Sequence, residues 1–115
     1  MRVVCVEKRI ALGGTCANVG CIPSKALLDS SEHFEFARTK AQKHGVVFNS
    51  VSLDLSQMMR RKDEVVRSLT QGISFLFKKH SIEWVTGRGK IKSSSPQLHR
   101  IEVQTETGKV DLEAA

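Results

Sequence analysis

Three observations predict an α/β fold: a short apolar strand near the N-terminus, two long stretches of helical periodicity, and then a change to short alternating segments. Residues 3–7 are an apolar run ending in the acidic Glu7, and predict a short buried strand. Residues 10–14 form a glycine-bearing turn. From Pro23 to about residue 43, Ala26, Leu27, Phe34, Ala37 and Ala41 recur at roughly helical spacing, and Gly45 supplies a C-terminal stop. Residues 46–52 read as a loop. Asp54 with Gln57 three residues later resembles a capping box opening a second helix. Met58, Val65, Leu69, Ile73 and Leu76 then mark one helical face, expected to be core.

After His80, residues 82–86, 89–92, 99–105 and 110–113 read as strands. Turn chemistry at Ser93-Ser94-Ser95-Pro96 and Glu106-Thr107-Gly108-Lys109 separates them, so an antiparallel meander is expected over residues 81–115. The first strand is of parallel type and has no evident partner in this reading. Buried strand edges need partners. The expectation is therefore a single incomplete domain over residues 1–115. Residues 1–80 would hold the strand, the helices and a pair of cysteines, and residues 81–115 the meander.

Composition narrows the function classes. Forty per cent hydrophobic and 26 per cent charged residues suit a soluble globular chain. No apolar run approaches the roughly 20 residues that span a bilayer, and the N-terminus lacks a secretory pattern, so a soluble intracellular protein is expected. The net charge of +6 is spread along the chain, with clusters at Arg60-Arg61-Lys62 and Lys78-Lys79-His80. Five Phe, one Trp and no Tyr leave little to stack on bases. A solvated basic helix face is favoured over nucleic-acid binding.

Three cysteines do not make a structural disulfide framework in an intracellular chain. Cys5 sits alone in the strand and reads as a small buried hydrophobe. Cys16 and Cys21 lie five residues apart in Gly13-Gly14-Thr15-Cys16-Ala17-Asn18-Val19-Gly20-Cys21-Ile22-Pro23-Ser24-Lys25. A metal normally takes three or four ligands, and His33 and His44 downstream show no finger-like pairing, so no metal site is expected. In a regular helix five residues rise ~7.5 Å, beyond the usual Cα–Cα reach of a disulfide of about 4.4–6.8 Å. A bond between the two needs a distorted backbone, for which Gly20 is permissive. With Pro23 in the first turn of the long helix, Cys21 stands at its N-terminal end, where the dipole favours a thiolate. Lys25, four residues on, lies on the same side. Two readings stand at this point: a redox pair, or two buried thiols beside an incidental lysine.

Gly13, Gly14 and Thr15 allow close backbone approach to a phosphate, a weak signal by itself. Glu7 ends a strand where dinucleotide-binding folds hold a ribose hydroxyl. Its alternative is a solvated strand end.

The stretch from Val4-Cys5-Val6-Glu7-Lys8-Arg9 through the cysteine motif to Ala26-Leu27-Leu28 resembles the disulfide-bearing FAD segment of dihydrolipoamide dehydrogenases, flavin enzymes of the class I pyridine nucleotide-disulfide oxidoreductases. Gly72-Ile73-Ser74-Phe75-Leu76-Phe77-Lys78-Lys79 and Gly87-Arg88-Gly89-Lys90-Ile91 resemble that family in order and spacing. Glutathione and trypanothione reductases usually carry lysine at the position of Ser24. Mercuric reductases usually differ at Ile22 and at Ala26-Leu27-Leu28. The resemblance implies a partial Rossmann-like FAD-binding domain. It implies Cys16 as the thiol exchanging with the dihydrolipoyl substrate and Cys21 as the thiol facing the flavin, the two forming a redox-active disulfide. It places Lys25 near the flavin ring, Glu7 on the adenosine ribose, Gly13, Gly14, Thr15 and Cys16 along the pyrophosphate and ribityl chain, and Gly89 as a further backbone contact.

The implied reaction moves electrons from dihydrolipoamide to the disulfide, to FAD and then to NAD. Implied partners are the dihydrolipoyl groups of 2-oxoacid dehydrogenase complexes and, in the whole enzyme, a second copy in a homodimer. The implied compartment is the bacterial cytoplasm or the mitochondrial matrix. No Gly-x-Gly-x-x-Gly turn is present, and His33, His44, His80 and His99 match no catalytic motif. The chain alone is expected to be inactive. The alternatives are a glutathione or mercuric reductase-like enzyme, and a non-enzymatic truncation that self-associates through its orphan sheet edge.

Overall fold

The computed structural model describes residues 2–115. Elements follow in the order β1 (Val4–Glu7), α1 (Gly14–Asn18), α2 (Cys21–Glu35), α3 (Leu55–Lys79), β2 (Glu83–Thr86), β3 (Arg88–Ser94), β4 (His99–Gln104) and β5 (Lys109–Ala114). After Glu35 the second helix continues as one π turn, Phe36–Lys40, and a 3₁₀ turn, Ala41–His44. Gly45 ends it at φ 76°, the left-handed stop expected there. The chain gathers into two compact units, one of residues up to Leu12 with Gly72–Ala115, the other Gly13–Gln71. This grouping runs along other lines than a division at residue 80.

In the first unit, β1 pairs with β2 in parallel, Val4 opposite Glu83 and Glu7 opposite Thr86. The strand expected to lack a partner therefore has one. That partner is the segment assigned by sequence to the meander. A parallel pair needs a long crossover, and residues 8–82 provide it. The antiparallel meander is three-stranded, β3-β4-β5, with a register shift between Ile91 and Ser93. Its turns close at 95–98, where Ser95 N–H donates to Leu98 O at 2.9 Å, and at 105–108, where Thr105 N–H donates to Gly108 O at 2.8 Å, so Ser93 and Ser94 belong to β3 and Lys109 to β5 rather than to the turns expected there. Val103 on β4 is fully buried. Glu102 beside it takes Lys109 at 3.1 Å and Lys92 at 3.2 Å, and these hydrogen bonds hold its carboxyl below the usual carboxylate range.

The second unit packs through small residues, with Ala17, Pro23, Ala26 and Ala41 buried. Arg61 on α3 ties to α2: its guanidinium donates to Ala26 O at 3.0 Å and Ser30 Oγ at 3.2 Å, and meets Asp29 Oδ2 at 2.7 Å. Asp54 caps α3 by accepting Gln57 N–H at 2.9 Å. The reciprocal half of the capping box does not form, because Gln57 Oε1 takes two donors from Arg60 instead. The stripe expected to be core is only half covered. Met58, Val65 and Ile73 are half-buried, and Leu69 and Leu76 are exposed. Cys5 is likewise half-buried rather than buried. At the other end of α3, Ser81 adopts φ 53° while Ile82 N–H donates back to Phe77 O at 2.9 Å. A serine thus occupies the left-handed position usually given to glycine.

Gly87, between β2 and β3, has the least room of the first unit's glycines for an added side chain. A Cβ there would lie 2.5 Å from Gln104 O and 2.7 Å from Val103 Cγ1. Gly87→Ala is expected to cost about 1–3 kcal/mol, as overpacking does in well-packed sites. Chemical denaturation followed by circular dichroism measures it, and an unchanged midpoint would show that β4 yields without strain.

Candidate functional site

The cysteine motif folds into two helices separated by a break. Gly13 and Gly14 open it at φ 106° and 62°, two consecutive left-handed residues that L side chains resist. They start α1, a five-residue helix unforeseen from the sequence because it is too short to show periodicity. Asn18 closes it by donating Nδ2–H to Gly14 O at 2.9 Å. Thr15 O then accepts two amides, from Val19 at 3.0 Å and Gly20 at 2.8 Å. A Cβ on Gly20 would sit 3.1 Å from that same oxygen, so the turn is closed tightly enough to favour glycine.

The second helix begins at Cys21, two residues before the proline. Pro23 is then third in the helix, where its missing N–H removes no intrahelical bond. The break takes the two cysteines off one continuous helix. Cys16 on α1 and Cys21 on α2 are both exposed free thiols, and their side chains interact. That interaction is the largest influence on Cys16: hydrogen bonding to the Cys21 side chain raises its pKa above the ordinary thiol value. Partial desolvation and the Cys21 charge add to the rise, whereas the Cys21 backbone N–H and then the Lys25 charge oppose it. The sequence reading gave the helix terminus and Lys25 to Cys21. In the structure the Cys21 backbone N–H and the Lys25 charge act on Cys16.

Glu7 and Gly89 belong to the first unit. Glu7 ends β1, its Oε1 accepting Arg9 N–H at 2.9 Å and its carbonyl accepting Gly87 N–H at 2.9 Å. No other hydrogen bond to its carboxylate occurs among the described residues. Gly89 faces β1, where a Cβ would lie 3.4 Å from Val6 Cγ1. An open cleft of about 470 Å³ is lined by Val6, Glu7, Lys8, Gly87, Arg88 and Gly89. Arg9 borders a second opening of about 410 Å³ on the same strand ends. Its Nη1 is buried without a hydrogen-bond partner. Sequence reasoning passed over Lys8, Arg9 and Arg88. Their signal was available: basic residues directly after a strand ending in Glu7, and one between two glycines. In open α/β sheets ligands bind outside the carboxyl ends of strands.

The sequence profile of the pyridine nucleotide-disulphide oxidoreductases matches residues 1–111. The chain belongs to this family. A mitochondrial dihydrolipoyl dehydrogenase of Schizosaccharomyces pombe is 51% identical over 89 residues, covering 77% of this chain and 17% of that relative. That of Pisum sativum is 52% identical over 94 residues, covering 82% and 19%. A leghemoglobin reductase of Glycine max is 49% identical over 109 residues, covering 95% and 20%. The chain thus spans about a fifth of the length of these curated relatives. The crystal structure of LpdA from Mycobacterium tuberculosis superposes with a TM-score of 0.85 at 22% identity, covering 98% of this chain and 24% of that one. The likeness supports the α/β reading: a parallel pair, long helices and an antiparallel sheet, as in part of a Rossmann-like FAD-binding domain.

The thiol geometry has a direct consequence for reactivity. Cys16 holds its proton to higher pH because its first influence is the Cys21 thiol. Cys21→Ala removes that partner and leaves the backbone amide and Lys25, so the Cys16 thiolate should form at lower pH. Iodoacetamide labelling, resolved by peptide mass spectrometry across the neutral-to-alkaline range, is expected to show faster Cys16 alkylation in the variant. A profile displaced to higher pH would contradict the assignment.

Proposed function

We propose that this chain is the dithiol–disulfide segment of the FAD-binding domain of a dihydrolipoamide dehydrogenase, with residues 1–115 forming one incomplete domain. The observation that carries the reading is the turn at Gly20, which sets Cys16 and Cys21 on two separate helices with both thiols exposed. Two neighbouring, accessible thiols on a distorted backbone suit reversible bonding. In the oxidised segment, a dihydrolipoyl thiolate attacks the Cys16 sulfur and releases Cys21 as thiolate. The second lipoyl thiol then displaces Cys16, leaving a lipoyl disulfide and a reduced Cys16–Cys21 pair. Two electrons and two protons have moved to the protein. The Cys21 amide and Lys25 stabilise thiolate charge on Cys16 during these exchanges.

The residues present fit a flavin dinucleotide. Lys8, Arg9 and Arg88 supply positive charge at the strand ends, and the buried Arg9 Nη1 lacks the acceptor that an anionic ligand would provide. Glu7 would hold the adenosine ribose and Gly89 would offer a backbone contact. Gly13, Gly14, Thr15 and Cys16 would run along the pyrophosphate and ribityl chain, and Lys25 would lie near the ring. FAD, when bound, supplies the two-electron acceptor for the dithiol and the reductant for NAD. Partners on this reading are the dihydrolipoyl groups of 2-oxoacid dehydrogenase complexes and a second copy in a homodimer. The compartment would be the bacterial cytoplasm or the mitochondrial matrix.

The chain equilibrated with a lipoamide–dihydrolipoamide couple should lose two hydrogens by mass, as a single Cys16–Cys21 bond with Cys5 still alkylatable. Bonding that includes Cys5, or only intermolecular bonding, would remove the basis of the proposal. With dihydrolipoamide and NAD the same preparation should show no turnover, because the sequence carries no glycine-rich nicotinamide turn.

A further inference from the structure

Three strand ends converge in the first unit. Glu7 closes β1 opposite Thr86 of β2, and Arg88 opens β3 opposite Gln104 at the end of β4. Around them lies the opening of about 410 Å³, within the range of small-molecule sites. It shares Lys8, Gly87 and Arg88 with the Glu7 cleft, whereas Arg9, Thr105 and Glu106 line only this one. The flavin reading places no part of the dinucleotide here.

Three positive charges line this opening, and none is neutralised. Among the described residues, Lys8, Arg9 and Arg88 form no ion pair. Glu7 Oε1 accepts the Arg9 backbone N–H rather than a cationic side chain, and Glu106 lines the opening without bonding to any of the three. Arg9 is the least satisfied. Its Nη1 is shut off from solvent with no acceptor, a costly state for a charged group, while Nε and Nη2 are not shut off in this way. The facing loop is already occupied with itself: Thr105 Oγ1 donates to Gly108 O at 3.0 Å, and Gln104 Nε2 to the same oxygen at 3.2 Å. The strongest side-chain donors left are the three cations, and a guanidinium fork matches phosphate oxygens.

We propose that this opening is a second anion site, separate from the flavin cleft, which takes the phosphate group of a small phosphorylated molecule on Arg9. Lys8 and Arg88 add charge. Three cations less the Glu106 carboxylate leave two positive charges, which a phosphate monoester close to its dianion balances. The inference goes beyond the flavin reading and does not need it.

Inorganic phosphate is the probe. Titrated at constant ionic strength against a chloride reference, it should shift the NMR signals of Arg9, Arg88, Thr105 and Glu106 in the isotope-labelled chain. Arg9→Gln should weaken binding about tenfold or more, the size of a lost hydrogen bond to a charged group. Arg9→Lys, which keeps the charge without the fork, should fall between. Should Arg9→Gln disturb the packing around Nη1, two exposed positions still decide the matter: Arg88→Gln should weaken binding and Glu106→Gln should tighten it. Equal shifts with phosphate and chloride, or unchanged affinity in both of these variants, would overturn the proposal. FAD added to the phosphate-bound chain should leave the phosphate in place, and its displacement would equally overturn a separate site. Phosphate binding without any FAD binding would sink the flavin reading and leave this one standing.

Discussion

The turn at Gly20 is the constraint on which the site depends. Two amides converge on the Thr15 carbonyl, ending one helix and aiming the chain into the next. Without that turn, Cys16 and Cys21 would be five residues apart along a continuous helix, a rise of ~7.5 Å, and could not share a bond. A side chain at position 20 would press on the same oxygen that closes the turn. The thiol pair, the start of α2 and the direction of the Cys21 amide all follow from this one reversal.

Electrostatics around the pair are opposed rather than additive. Cys21 contributes its thiol and its backbone N–H, which pull the Cys16 proton in opposite directions, and the thiol wins. Lys25 is the weakest of the influences and favours the thiolate. An exposed lysine is well screened by solvent, and its charge counts for less than the Cys21 backbone N–H. On the proposed dithiol reading, such a balance would suit a thiol that acts as both nucleophile and leaving group, since exchange rates depend on both properties.

Packing in the second unit relies on small side chains and backbone contacts. Ala17, Ala26 and Ala41 are buried, while Phe48, Leu53 and Leu55 are exposed. Exposed ion pairs contribute about 0–1 kcal/mol, so the Arg61–Asp29 pair counts for less than its short distance suggests. The same guanidinium also satisfies the Ala26 carbonyl and thereby orients α3 against α2. Arg61 and Lys62 were members of a basic cluster in the sequence. Both have protein partners, Asp29 and Asp63.

Local chemistry was legible from residue types alone. Gly45 stops a helix and Asp54 caps one because each acts within a turn or two of itself. The break in the cysteine motif was legible for the same reason: a permissive Gly20 and a Pro23 suited to a helix's first turn act within a turn of themselves. Tertiary structure decided whatever depends on distant neighbours. The β1–β2 pairing joins strands separated by residues 8–82, and parallel register leaves no local turn signature. The α3 stripe has helical period, but its partial exposure depends on what packs against it. Residue identity placed a serine after Pro23, while only the fold aimed its hydroxyl at the Gly20 carbonyl. A hydrogen bond is a direction in space, and a linear pattern of residues does not contain directions.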